Sequence, residues 1–252
     1  MALQIFEKEQ QARGAFNQGE ILENKPIGFP QDGGSLSPYS SLFYWAHAYT
    51  GEKQSEIGLH PHKGFEILSF VLQGSIEHYD THYREWKKLN TGDVQIIRAG
   101  RGISHAERLM PDTHMFQIWF DPGLEISLGK TASYDDYPAQ SFKRLKLKTQ
   151  ETIVYRQRDE GIQMDSPAGI KKLELQAGQH TLAINKSEVC SIYILEGPAK
   201  LDGHEAPKDA FAVVSDQGEL MIENETHASL FIIQSPLTLP YQTYREFLNP
   251  IN

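Results

Sequence analysis

The stretch FEILSFVLQGSIEHYD, residues Phe65 to Asp80, decides how this chain is read. It is rich in β-branched and aromatic residues, and it breaks once, at Gln73-Gly74, where a turn is expected. Two strands joined by a tight turn are the simplest reading. Outward from it the same grammar repeats: DVQIIRAG and HMFQIWFDP follow, and later SIYILEGPAKLDG, DAFAVVSD, GELMIENE and ASLFIIQSP. Gly, Asn, Asp and Pro separate these runs at short intervals, a spacing that points to sandwich or barrel architecture. YQTYREFLN near the C-terminus is the best candidate for a short helix, and SYDDYPAQSFKRL reads as a connector.

The stretch also has an echo. LSFVLQGSIEHYD aligns with CSIYILEGPAKLD when Gly74 is set on Gly197, an offset of 123 residues. Each copy leads into an acidic turn and another strand, TGDVQII in the first and PKDAFAVV in the second. Two similar β domains account for both the repeat and the 252-residue length. Their expected extents are 1–140 and 141–252.

With 24 basic and 33 acidic residues the formal net charge is −9. An acidic chain without a basic cluster repels phosphate backbones, so direct nucleic-acid binding is not expected. Cys190 is the only cysteine, which rules out an intrachain disulfide and suits a reducing compartment. Cys190 itself reads as a small buried apolar residue. The start, MALQIFEKEQQARG, lacks a signal-peptide pattern, and no run approaches the roughly 20 apolar residues of a membrane helix. These features predict a soluble cytoplasmic protein.

Just ahead of the opening stretch lies GLHPHKGFE, residues Gly58 to Glu66. In a strand, residues two apart share a face, so His60 and His62 would point together while Pro61 points away. Pro61 also lacks a backbone donor, which suits an edge or irregular strand. A second pair, His105 and Glu107, occurs in AGRGISHAERL. On facing strands the two pairs can converge as three imidazoles and one carboxylate, a donor set for a divalent first-row metal with open positions. His78, His82, His180 and His204 lie in polar contexts and are expected at the surface.

HPHKGFEILSFVLQGSIEHYD together with TGDVQIIRAGRGISHAE resembles the pirin family of the cupin superfamily, whose motifs read approximately HPHRGFE and GDxQxMxAGxGxxHSE. FQIWFDP and SYDDYP resemble the family's continuation. The resemblance implies an all-β protein of two cupin-type, jelly-roll β-barrels in tandem with few short helices. It implies one metal, usually iron as Fe(II), in the N-terminal barrel, with Mn, Ni, Cu or Zn as alternatives. Carried over by position, the ligands are His60, His62, His105 and Glu107. The general cupin pattern instead takes a glutamate four residues after the second histidine, here Glu66; the pirin-like pattern favours Glu107 and leaves Glu66 a supporting role. By the offset of 123, Ala183 and Asn185 fall at the positions of His60 and His62, so the second barrel is expected to lack metal.

This chain departs from the family in two places. LSPYSSLFYWAHAY, Leu36 to Tyr49, stands where relatives carry a segment like DPFLLLDHF, and Ile97-Arg98 where relatives often have Met-Thr. The leading function implied is a metal-dependent, quercetinase-like dioxygenase acting on a flavonol or another enolic aromatic with O₂, with Glu107 as catalytic base. Aromatic residues of FYWAHAY, Phe116 and Trp119 are candidates for the wall of its site. The alternative is a non-catalytic, redox-sensing regulator that binds a transcription factor or metabolic enzyme. A storage or sugar-isomerising cupin fits the histidine motifs less well. A monomer is expected.

Overall fold

The computed structural model describes residues 3–248. The fold is all-β, and the helices among the described residues are short: the two α-helices are Leu124–Ser127 and Tyr244–Leu248. None is long and apolar enough to cross a membrane. The chain forms two compact units, each built from one large and one small antiparallel sheet.

In the N-terminal unit the large sheet runs Ser133–Tyr137, Val94–Arg98, Glu66–Gln73, His114–Phe120, Leu42–Thr50, Ile21–Ile27, Ala12–Phe16. Its small sheet runs Ser55–His62, Ile103–Leu109, Ser75–Asp80, Trp86–Asn90. The C-terminal unit repeats both orders. Its large sheet runs Leu3–Phe6, Phe211–Val214, Glu188–Glu196, Ala228–Pro236, Gly169–Leu175, Gln150–Gln157, Lys143–Lys146, with the short strand Glu160–Gly161 also pairing with Gln150–Gln157. Its small sheet runs Gly178–Ala183, Glu219–Asn224, Ala199–Leu201, His204–Ala206. Leu3–Phe6 thus fills the edge position that Ser133–Tyr137 fills in the other unit. Residues 164–166 and the Tyr244–Leu248 helix belong to the N-terminal unit.

SYDDY is therefore a strand and not a connector. Tyr134 is 3% exposed and packs with Ile67, Ile97, Ala99 and Ile103, so burial of one large ring overrides the acidic composition around it. The turn at Gly74 forms as its sequence predicts. Gly74 has φ +74°, and a Cβ there would sit 3.0 Å from the Thr113 Cα, so glycine is required twice over.

The two interiors differ. Inward-facing positions of the C-terminal unit form one continuous aliphatic cluster. Those of the N-terminal unit form two smaller clusters, one around Val71, Ile76, Leu109 and Met115, the other around Ile67, Ile97 and Ile103. Between them each strand contributes a polar residue: Ser69 lies between Ile67 and Val71, Gln95 opposite Ser69, Gln117 opposite Ser69 on the other side, and His78 opposite Glu107.

The ladders give the counterparts of this layer in the second unit. Ser69 maps to Ile192, Gln95 to Ala212, Gln117 to Ile232, His78 to Leu201 and Glu107 to Ile222. His105 and its partner His60 map to Leu220 and its partner Leu182, and His62 to Ile184. The fixed offset of 123 had pointed to Ala183 and Asn185; the pairing register moves both by one residue, from outward to inward positions.

Glu66 starts its strand 1% exposed and does not join the polar layer. Its two oxygens accept the backbone N–H groups of Asp165 (2.6 Å) and Ser166 (2.9 Å), fastening the 164–166 segment. Burial raises its pKa, and the bonds from Ser166 and Asp165 oppose that rise. Removing the carboxylate leaves one buried and one part-buried backbone donor without a partner. Glu66→Ala is expected to cost about 2–4 kcal/mol, read as a lower thermal midpoint, with metal content unchanged. Loss of metal in this variant would return Glu66 to the ligand set.

Candidate metal centre

His60 and His62 lie on Ser55–His62, the outer strand of the small sheet, where Pro61 is exposed and the pair shares one face. The neighbouring strand pairs His105 directly with His60 and Ile103 with His62. The pairing slips between His105 and Glu107, so that Glu107 faces Ile57: the outer strand carries an extra residue near Gly58, a β-bulge. The slip places the Gly58 carbonyl 2.8 Å from Nδ1 of His60. That bond fixes the proton on Nδ1 and leaves Nε2 with its lone pair.

The three rings form a tight triangle, with centroid separations of 4.7 Å for His60–His62, 4.4 Å for His60–His105 and 4.7 Å for His62–His105. One nitrogen of each lies within 4.8 Å of one nitrogen of the others. Nε2 of His62 and both ring nitrogens of His105 are buried without a hydrogen bond. Burying an unpaired polar atom is costly, so such atoms at the focus of three rings fit a bound cation. Burial, and then the neighbouring His105 and His60 rings, bring the His62 pKa down to about 3. Burial and the nearby His60 and His78 rings hold His105 well below the ordinary imidazole value. Both rings are therefore neutral at physiological pH, the state a metal requires.

Glu107 is fully buried, and its carboxylate is held by neutral donors. Gln117 Nε2 donates to one oxygen at 2.6 Å; Ser69 Oγ at 3.2 Å and Gln95 Nε2 at 3.4 Å face the other. Trp119 Nε1 in turn donates to Gln117 Oε1 at 3.2 Å. The carboxylate groups with His105 and His78 within 4.8 Å, and it lines the same cavity as His60 and His62.

His78 was expected at the surface and is 1% exposed. It stacks on Tyr134 at 4.6 Å, contacts His105 at 5.5 Å, and is bound through Nε2 to Asp80 Oδ2 at 3.0 Å. With Gln95 also 3.4 Å from Nδ1, both its nitrogens are engaged, unlike those of His105. The period-two pattern of Ile76, His78 and Asp80 was the signal for its burial. His180 is likewise buried, at 8%, because Nε2 finds the Gln176 carbonyl; His82 and His204 are exposed as expected.

Beside the triad a cavity of about 340 Å³ opens between the sheets. Its walls include Phe29, Tyr44, Met115 and Trp119, with Glu23 and Gln117 as polar members. Trp119 meets His62 edge-on at 4.8 Å, and Phe29 stacks on Tyr44 at 4.8 Å. Tyr44 of the FYWAHAY segment and Trp119 thus line the cavity as the sequence suggested. Phe116 packs instead against Trp45 at 5.4 Å, and both are completely buried.

The Pirin family model matches residues 25–120. Quercetin 2,3-dioxygenase of Escherichia coli K12 is 43% identical over 68 residues, which are 26% of this chain and 29% of that protein. The match to this and several other relatives spans less than a third of their length. A putative quercetin 2,3-dioxygenase of Pseudomonas aeruginosa aligns more fully, at 26% identity over 234 residues, covering 86% of this chain and 81% of the relative. The bacterial pirin YhhW from Escherichia coli, solved in complex with nickel(II), superposes with a TM-score of 0.76 at 21% identity, covering 94% of this chain and all of the other. The histidine motifs thus fall inside the Pirin match, and the two-unit fold is the one that the pirin YhhW shares.

Proposed function

We propose that this protein is a metal-dependent dioxygenase that opens the heterocycle of a flavonol or a related enolic aromatic. Its metal is one divalent transition ion held by His60, His62, His105 and Glu107. Fe(II) is the first choice, with Mn, Ni, Cu and Zn open to the same donors. The observation that carries the proposal is the set of buried ring nitrogens on His62 and His105, unpaired and converging beside an aromatic-walled cavity. The cavity volume falls in the range of about 300–1,000 Å³ typical of small-molecule sites.

When bound, the metal supplies Lewis acidity toward the enolic oxygen and a redox partner for O₂. The chain's own groups do the rest. Tyr44 and Trp119 orient a planar ring and exclude water. Glu107 takes the proton of the enolic hydroxyl, and Gln117 and Ser69 keep its carboxylate aimed. The regulatory alternative calls for the same metal without turnover.

Three outcomes test this reading. His62→Ala is expected to lose most of its metal by elemental analysis while its circular dichroism stays that of the parent, because the apolar clusters above and below are untouched. Glu107→Gln keeps the three imidazoles and some metal but loses the base. Its O₂-dependent consumption of quercetin should fall about 10²–10⁴-fold. A wild-type protein that keeps its metal and consumes no flavonol sinks the enzymatic reading.

The third outcome concerns acid. Below the ordinary imidazole value of 6.5 the unfolded chain binds protons that folded His62, held at about 3, refuses. The metal-free protein should therefore lose stability as pH falls from 6.5 toward 3. Thermal midpoints of chelator-treated protein at pH 7.5 and 4.5 should show the drop, and His62→Gln should shrink it.

A further inference from the structure

Glu23 lies on the Ile21–Ile27 strand of the large sheet, across the cavity from the strands of the small sheet that carry the histidines. It is 6% exposed, yet it lines the cavity. One carboxylate oxygen accepts the Tyr44 hydroxyl at 3.3 Å. The other, Oε2, is buried and ion-paired with the Lys25 ammonium at 3.2 Å, which uses one of its two lone pairs. Lys25 is itself shared with Asp32 at 3.0 Å, so the charges of this trio sum to one negative. Gly14 leaves the space the group occupies: a Cβ there would stand 2.3 Å from Oε2 of Glu23 and 2.7 Å from Nζ of Lys25.

A buried carboxylate with acceptor capacity left over, set in a wall of Phe29, Tyr44 and Trp119, suits a ring that brings a hydrogen-bond donor. It disfavours a ring that brings a carboxylate, or nothing, to the same place. We infer that Glu23 is a specificity residue that accepts a hydrogen bond from a phenolic hydroxyl at the end of the substrate remote from the histidines. The inference rests on the flavonol reading given above and adds to it a second point of recognition. With the enolic hydroxyl at the histidines and the ring against Trp119 and Tyr44, the far ring is the part that meets Glu23. A site built to pair a hydroxyl rejects the analogue lacking it, because the buried acceptor then goes without a partner.

The test compares quercetin with galangin, the same flavonol without the two far-ring hydroxyls. Dissociation constants are measured by tryptophan fluorescence on the protein as purified, without O₂, so that binding is read apart from turnover. Wild type should bind quercetin about ten-fold tighter than galangin, the factor expected for a hydrogen bond to a charged group. Glu23→Leu should bring the two constants together, chiefly by weakening quercetin. Gly14→Ala leaves the carboxylate in the sequence but displaces it, and should do the same if Glu23→Leu fails to fold. Equal affinities in wild type, or an undiminished preference in the folded variants, overturn the role of Glu23 and leave the dioxygenase reading standing. Failure of wild type to bind either flavonol overturns both.

Discussion

The N-terminal unit is organised around the cost of burying polar atoms. A β-sandwich interior is normally filled with aliphatic side chains, and the C-terminal unit does that without interruption. Its sibling instead carries a layer of histidine, glutamine, serine and glutamate between two apolar clusters. Glu107 is tolerable there because Gln117, Ser69 and Gln95 face its oxygens. His78 is tolerable because Asp80 and Gln95 engage its nitrogens. The atoms of this layer left over are on His62 and His105, whose rings lie 4.7 Å apart. The unit is satisfied everywhere in this layer except where three imidazoles converge.

The duplicated fold makes the comparison internal. Strand orders agree sheet by sheet, so each member of the polar layer has an identifiable aliphatic counterpart. Leu182, Ile184, Leu220 and Ile222 occupy the places of His60, His62, His105 and Glu107. Neither version needs a different backbone topology. What distinguishes them is side-chain chemistry on an unchanged ladder, together with the bulge near Gly58 that presents a carbonyl to His60.

Much of this was legible in the sequence because strands repeat every two residues. The HxH and HxE pairs announced shared faces, Pro61 announced an edge, and Gly74 announced a turn. His78, Ser69, Gln95 and Gln117 were harder to find. Ser69, Gln95 and Gln117 each stand alone between apolar neighbours, and His78 sits between Glu77 and Tyr79; a single polar residue in a strand marks the outward face as readily as a buried layer. Only the cross-strand register, which no single strand contains, brings them together. The same holds for the strand at Leu3–Phe6, whose partner Phe211–Val214 lies about 200 residues away, and for the grip of Glu66 on Asp165 and Ser166. The fixed offset between repeats failed by one residue for the same reason: insertions between strands shift the count but leave the ladder intact.

The three imidazoles are not equally sheltered. His105 is completely buried on an inner strand, whereas His60 is partly exposed on the rim strand next to Pro61. An ion held there would be anchored from within and gated from outside. Tenacity and turnover of the ion would then be governed by different residues, so exchange with the surrounding metal pool could be tuned at His60 while affinity is kept by His105.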